Sequence, residues 1–420
     1  MKKTILILFG CLAMTAATMA QEAELTPMEQ LEQRTGTLEN AVKTLQKIKV
    51  SGYIQTQFQY GEKDASLKVG GKNENPDESF NRIGIRRGRL KFTYDESWAS
   101  AVFELDMTEK GVGIKDAYLR VSDPWLGVAS LKAGVFDRPF GHEIAYSSSR
   151  LESPERSRIC NALFPDEKDL GASLTLQAPA TSPLNFLKLE AGLFAGNAIG
   201  QELDNRKDFI GHLSGEKNIG DMLIGGGVSY YNGGVYQGTT ELYKMSGKGF
   251  VLNSDDDNKG KFAKREYFGL DAQYSILSVW GMTQLRGEYL FGTQPGSSTD
   301  SSSPKALTAL PSSNTYLRNF QGAYLILVQD LATLPLSAVL KYDFYDPNSK
   351  IAGNELGLNG TGVGDVSYQT FGFGLLWRAT NSVRVQAFYE LNKNETSANL
   401  AGYDKDRKDN VFTLRLQYKF

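Results

Sequence analysis

The chain has 420 residues, a formal net charge of −2, 43 glycines, 22 phenylalanines, 20 tyrosines and 2 cysteines. The near-neutral balance argues against a nucleic-acid partner. Cys160, alone once the leader is removed, excludes an internal disulfide or a zinc cluster. Abundant glycine and aromatics with few prolines suit many long strands.

Lys2 and Lys3 precede a mostly apolar run from Thr4 to Ala13 and small residues from Ala16 to Ala20. This is the pattern of a secretory signal peptide, residues 1–20, cleaved after Ala20. Its apolar run falls far short of the ~20 residues that a spanning helix needs. Residues 21–49 form the next segment, helical over 22–49. Met28, Thr35 and Val42 repeat at heptad spacing, as do Leu31, Leu38 and Leu45. That seam predicts a short periplasmic coiled coil, with a helix lying on or plugging the following domain as the alternative. Pro27 suits the first turn, and Gly36 weakens the helix.

From residue 50 to 420 the period changes to two. Ile54, Phe58 and Tyr60 oppose Gln55, Gln57 and Gln59. The same alternation sets Phe103 and Leu105 against Glu104 and Asp106, and Leu414, Leu416 and Tyr418 against Arg415, Gln417 and Lys419. Such runs predict strands near 50–60, 82–95, 98–108, 114–123, 127–136, 169–178, 184–195, 208–217, 220–232, 264–275, 281–293, 314–329, 335–345, 365–379, 382–391 and 410–420. Connections alternate between short turns and mostly long loops, the arrangement of an outer-membrane barrel. In hydrocarbon every backbone N–H and C=O must find a partner within the protein, and strands without apolar helices achieve this only in a closed sheet. The expected fold is therefore an all-β, sixteen-stranded antiparallel transmembrane β-barrel preceded by a short periplasmic helix. It belongs in the outer membrane of a Gram-negative bacterium, with outer-membrane lipid around it.

A barrel this wide leaves an aqueous channel that something must narrow. Residues 137–168 are the candidate constriction: a long connection with little alternation, carrying Arg138, Arg150, Arg156 and Arg158. The connection at 233–263 is nearly as long, so length does not decide between them. On the adjoining wall Arg87, Arg89, Lys91, Arg120 and Lys132 are expected to face inward, against Glu104, Asp106 and Asp116. Five positive charges against three give a slight anion preference. Four arginines against six carboxylates in 137–167 pull the other way, so charge counting leaves selectivity open. Arg86 would point outward unless a bulge turns it in.

The motifs Arg86-Arg87-Gly88-Arg89-Leu90-Lys91, Leu131 to Glu143, Ser147-Ser148-Ser149 and Glu155-Arg156-Ser157 resemble the phosphate-selective porin O and P family. The resemblance implies a homotrimeric outer-membrane channel in which Arg86 and Arg87 match an eyelet arginine pair. It also places residues 141–150 on an inward-folded loop. Where the phosphate-selective members carry lysines, this chain has Ile144 and Ser149, which puts phosphate specificity in doubt. Phe420 matches a terminal aromatic that resembles an assembly signal.

The function expected is passive diffusion of small hydrophilic solutes, small anions slightly preferred, without cofactor, metal or catalytic residue. A non-conducting adhesin or structural anchor and a substrate-specific transporter are the alternatives. His142 and His212, the only histidines, are poor candidates for acid–base catalysis. Asp255-Asp256-Asp257 resembles a calcium loop, but Lys259 stands where an oxygen is needed.

Overall fold

The computed structural model describes residues 26–420. The expected signal peptide and residues 21–25 lie outside the described residues. Helix α1 spans Pro27–Gln46, within the predicted helical segment. The helix belongs to one compact unit and residues 49–420 to another. On α1, Leu31, Leu38, Val42 and Leu45 are exposed.

The second unit is one sheet of β1 (Ile48–Gly61), β2 (Phe80–Asp95), β3 (Ala99–Thr108), β4 (Gly111–Ser122), β5 (Ala129–Asp137), β6 (Lys168–Gln177), β7 (Leu187–Phe194), β8 (Asp208–Ile219), β9 (Met222–Tyr236), β10 (Glu241–Ser246), β11 (Gly249–Ser254), β12 (Phe262–Ser278), β13 (Gly281–Gly296), β14 (Thr315–Asp330), β15 (Leu336–Asp346), β16 (Tyr368–Arg378), β17 (Val383–Asn394) and β18 (Val411–Lys419). Sixteen of these form a closed antiparallel barrel, each at a position where dyad alternation predicts a strand. The ring closes where β1 pairs with both β18 and β2. The other two, β10 and β11, form a hairpin inside the connection from β9 to β12.

The closing seam shows why the pattern folds this way. Gln55, Gln57 and Gln59 lie opposite Gln417, Arg415 and Thr413. Gln55 Nε2 donates to Gln417 Oε1 at 2.7 Å, and Gln59 Nε2 to Thr413 Oγ1 at 3.0 Å. On the other face Ile54, Phe58 and Tyr60 stand beside Tyr418, Leu414 and Phe412, and Ile54, Phe58, Tyr60, Leu414 and Tyr418 are exposed. Polar groups thus satisfy one another across the inner wall, and the apolar face is left for lipid. Among the described residues no helix is long and apolar enough to cross a membrane, so the strands form the wall.

Candidate pore constriction

The connection from β5 to β6 turns into the barrel. It contains α2 (Arg158–Leu163). Its apolar side chains Phe140, Ile144, Ile159, Leu163 and Phe164 pack with inward residues of the wall, among them Ile210, Tyr231, Tyr267 and Phe320. Phe140 and Phe164 stack at 4.8 Å between ring centroids, and Tyr267 meets both edge-on. At Gly269 a Cβ would stand 2.7 Å from the Phe140 ring, so only glycine admits that ring against β12.

The turn into the lumen is set by Gly141, whose φ of 61° is left-handed. A Cβ there would also collide with the Glu288 carboxylate. Gly141 N donates to Ser229 Oγ at 2.9 Å and His142 N to Glu288 Oε1 at 2.8 Å; Glu143 N donates to the same oxygen. Glu143 in turn accepts from Ser157 N at 3.0 Å and from Ser157 Oγ at 2.5 Å, which ties the loop's two limbs together. Lys341 of β15 donates to the Glu155 carbonyl at 3.0 Å, and Arg158 N to Asp343 at 3.4 Å. The loop is therefore fastened to β9, β12, β13 and β15 on one side of the ring.

Its other fastening is polar. Glu155 accepts from Arg86 Nε and Nη2, both at 2.7 Å, from Arg87 Nη2 at 3.0 Å and from Arg415 Nη2 at 3.0 Å. Behind these, Arg87 donates to Gln55 Oε1 at 2.9 Å and Arg415 Nε to Gln57 Oε1 at 2.9 Å. Burial alone would raise the Glu155 carboxyl, but the three guanidinium groups outweigh it and hold it well below the usual carboxylate range. Glu152 pairs with Arg286 at 2.5 Å, and Arg384 and Gln386 donate to the carbonyls of Leu151 and Glu152. β1, β2, β17 and β18 thus grip the loop through charge and amides, where β12 grips it through rings.

Arg86 and Arg87 both reach inward, although neighbours on a strand point to opposite faces. Of the other residues singled out in sequence, Arg89 pairs with Glu104 at 2.9 Å and Asp106 at 3.0 Å. Lys91 lies 3.9 Å from Glu104 and 4.0 Å from Asp116. Lys132 sits 4.0 Å from Glu190, over the Tyr118 and Phe136 rings. Arg138 is buried against Asp169 at 3.3 Å. Arg156 pairs with Glu167 at 2.6 Å, and the Arg158 guanidinium lies 4.2 Å over the Tyr368 ring. Arg120 and Arg150 are exposed and make no ion pair among the described residues. Ile144 is buried in the apolar cluster, and the Ser149 carbonyl accepts from Gln417 at 3.2 Å. These ten cations are thus spread over the wall and the loop, and only Arg86 and Arg87 share a carboxylate oxygen.

Sequence reading missed most of the wall partners of the loop. Arg415, Arg286 and Lys341 carry inward parity on their strands, but nothing local says which part of the chain they meet. Lys115 is different. The register of β3 with β4 slips between Glu104 and Leu105, so Glu104 faces Asp116 and Leu105 faces Ile114. Lys115 is the extra residue, a bulge that turns it inward beside Asp116. It pairs with Glu167 at 2.5 Å.

With the geometry in place, the chain can be set beside solved structures. It is similar to OprB of Pseudomonas putida (TM-score 0.57, 10% identity, 92% of this chain and 97% of that chain). It is also similar to OmpF of Salmonella typhi, solved with daunomycin (0.54, 12%, 89% and 97%). A third is the outer-membrane channel DcaP of Acinetobacter baumannii (0.53, 13%, 89% and 97%). The fold is that of a Gram-negative outer-membrane porin. No protein-family profile matches the sequence, and no curated protein does. The porin fold accounts for the lipid-facing apolar surface and for a lumen lined by Gln, Arg, Glu and Asp.

Proposed function

We propose that this porin-fold chain is a passive diffusion channel for small hydrophilic solutes, that residues 138–167 set its bore, and that it prefers anions. One observation carries the preference: three guanidinium groups converge on the single carboxylate of Glu155. That strip of wall sets three cations against one carboxylate where it meets the loop. Arg384, which among the described residues bonds only the Leu151 carbonyl, adds to it. Lining charges of one sign select ions of the other. The strip opens on a cavity of about 700 Å³ on the long-loop side, whose lining mixes Lys68, Arg86 and Lys305 with Glu155, Asp166, Glu167 and Asp300, so the preference rests on the strip and not on the cavity. The resemblance to phosphate-selective porins agrees with the Arg86–Arg87 pair. With buried Ile144 in place of a lysine, the proposal is small anions in general.

The test is the zero-current potential of the purified protein in a planar bilayer under a salt gradient. The expected sign is that of anions moving faster; the opposite sign removes the preference, and absence of open-channel current removes the channel. We also propose that α1 forms a parallel coiled coil that joins three barrels. Changing Leu31, Leu38 and Leu45 to serine should weaken the trimer band in native gels and leave the barrel's heat-resistant mobility unchanged. A trimer equally strong in that variant would remove the helix from assembly.

A further inference from the structure

The Glu155 site has the make-up of a receptor for a small carboxylate, and the chain itself supplies the occupant. Both carboxylate oxygens are engaged, one by Arg86 and Arg415 and the other by Arg86 and Arg87. Charge-assisted and bidentate hydrogen bonds of this kind are the strong class. Two of the three guanidinium groups have supports besides Glu155, whereas Arg86 hydrogen-bonds Glu155 alone among the described residues. Gln55 Oε1 accepts from Arg87, Gln57 Oε1 accepts from Arg415, and the Pro154 carbonyl accepts from Arg415 Nη1 at 2.7 Å. The amide oxygens belong to the wall, so Arg87 and Arg415 keep their places when the carboxylate is gone and the Arg86 guanidinium still stands beside them. It is also reachable: Glu155 and Arg86 both line the cavity on the long-loop side.

We infer that Glu155 is a tethered counter-anion, occupying an oxyanion cage of Arg86, Arg87 and Arg415 that would otherwise bind small carboxylates from solution. Its carboxylate then limits how strongly the strip favours anions. Occupancy of the cage is independent of the channel reading above; only the effect on selectivity rests on it.

Acetate is the probe, because it is the Glu155 side chain's own functional group without the tether. Calorimetric titration of the detergent-solubilised full chain should give saturable acetate binding to Glu155→Ala, no binding to the wild type, and loss of binding in Glu155→Ala/Arg415→Gln. In a bilayer, Glu155→Gln should shift the anion-to-cation permeability ratio toward anions by about tenfold, the change that ~1.4 kcal/mol produces. A wild type that fails to conduct, beside a Glu155→Ala chain that binds acetate, removes the channel reading and leaves the inference standing. A conducting wild type beside an assembled Glu155→Ala chain that ignores acetate overturns the inference alone. Should neither Glu155 variant assemble, the wild type decides: saturable acetate binding that Arg415→Gln abolishes would mean the cage is open, and would overturn the proposal.

Discussion

Residues 138–167 and 237–261 leave the same rim of the barrel as connections of comparable length, yet they fold in opposite ways. The first enters the lumen and buries Phe140, Ile144, Ile159 and Phe164 there. The second stays on the rim as the hairpin β10–β11, which runs β10 parallel to β14 at Leu242–Lys244 and stacks Tyr243 on Tyr316 at 4.4 Å. The difference lies in pattern. The hairpin turns at Gly247, whose φ of 60° suits a tight reversal, and its two strands pair with each other along their length. The inward loop has neither alternation nor a partner strand. Its apolar residues can leave water only against the wall, and its peptide groups need Arg, Gln and Lys from distant strands. A connection enters a lumen when its apolar and charged side chains both have somewhere to go there.

One aromatic deletion in each connection gives the largest contrast. Phe140→Ala removes a fully buried ring from the cluster with Phe164 and Tyr267, and should destabilise the loop by about 3–5 kcal/mol. Phe250→Ala in the hairpin loses an edge contact with Tyr316 at 5.0 Å and should cost about 1 kcal/mol. Single-channel recording would show larger and noisier openings for the first variant only. Equal traces would mean that the ring does not hold the loop. Next comes Gly141→Ala. Its left-handed backbone alone costs about 1–2 kcal/mol with a side chain, and the Cβ also meets Glu288. The expected result is raised conductance with the barrel intact, against no change for Gly247→Ala, where nothing crowds the added Cβ. An unaltered Gly141→Ala bore would show that the turn at 141 does not set it.

Acid provides a smaller and reversible separation. Burial works to raise the Glu155 and Glu167 carboxyls, but Arg86, Arg87 and Arg415 around the first and Arg156 and Lys115 around the second hold both well below the usual carboxylate range. A carboxyl lowered in the folded state contributes stability that is complete above its unfolded value of about 4.3 and disappears as pH falls through the folded value. The grip through Glu155 and Glu167 should thus be constant from neutral pH through the ordinary carboxylate range and fail only in stronger acid. Near-neutral gating that Glu155→Gln or Glu167→Gln abolishes would contradict this.

The barrel was legible in the sequence because its physics is local. Alternation at period two shows in any ten residues, and all sixteen wall strands fall where it runs. The long connection at 137–168 could be singled out by its lack of alternation, and Arg86 and Arg87 by their resemblance to a known pair. The anchors were not legible. Gln57 and Arg415 are hydrogen-bonded at 2.9 Å though far apart in the chain, and no local pattern encodes which strands the loop will meet after closure. Strict alternation from inward Asp116 would point Lys115 outward, and a one-residue register slip brings it in. The hairpin at 241–254 leaves no such mark in the sequence, because its strands are only six residues long. Surface chemistry writes itself in sequence neighbours, whereas contacts across a lumen depend on the register of every strand between.

The smallest expected effect on permeation comes from the hairpin. Replacing residues 241–254 by a short Gly-Ser link removes β10 and β11 together with the Tyr243–Tyr316 stack. It touches neither the Phe140 cluster nor the Glu155 cage, since the hairpin's pairing to the wall is limited to Leu242–Lys244 on β14. The link restores neither that pairing nor the Phe250 contact, so the loss of thermal stability should exceed that of Phe250→Ala. Conductance and zero-current potential should match the wild type, because neither the bore nor its charge depends on this connection. A deletion that changed the zero-current potential would mean that the hairpin's charges reach the permeation path, and the division between an inward connection that filters and an outward one that only covers the rim would no longer hold.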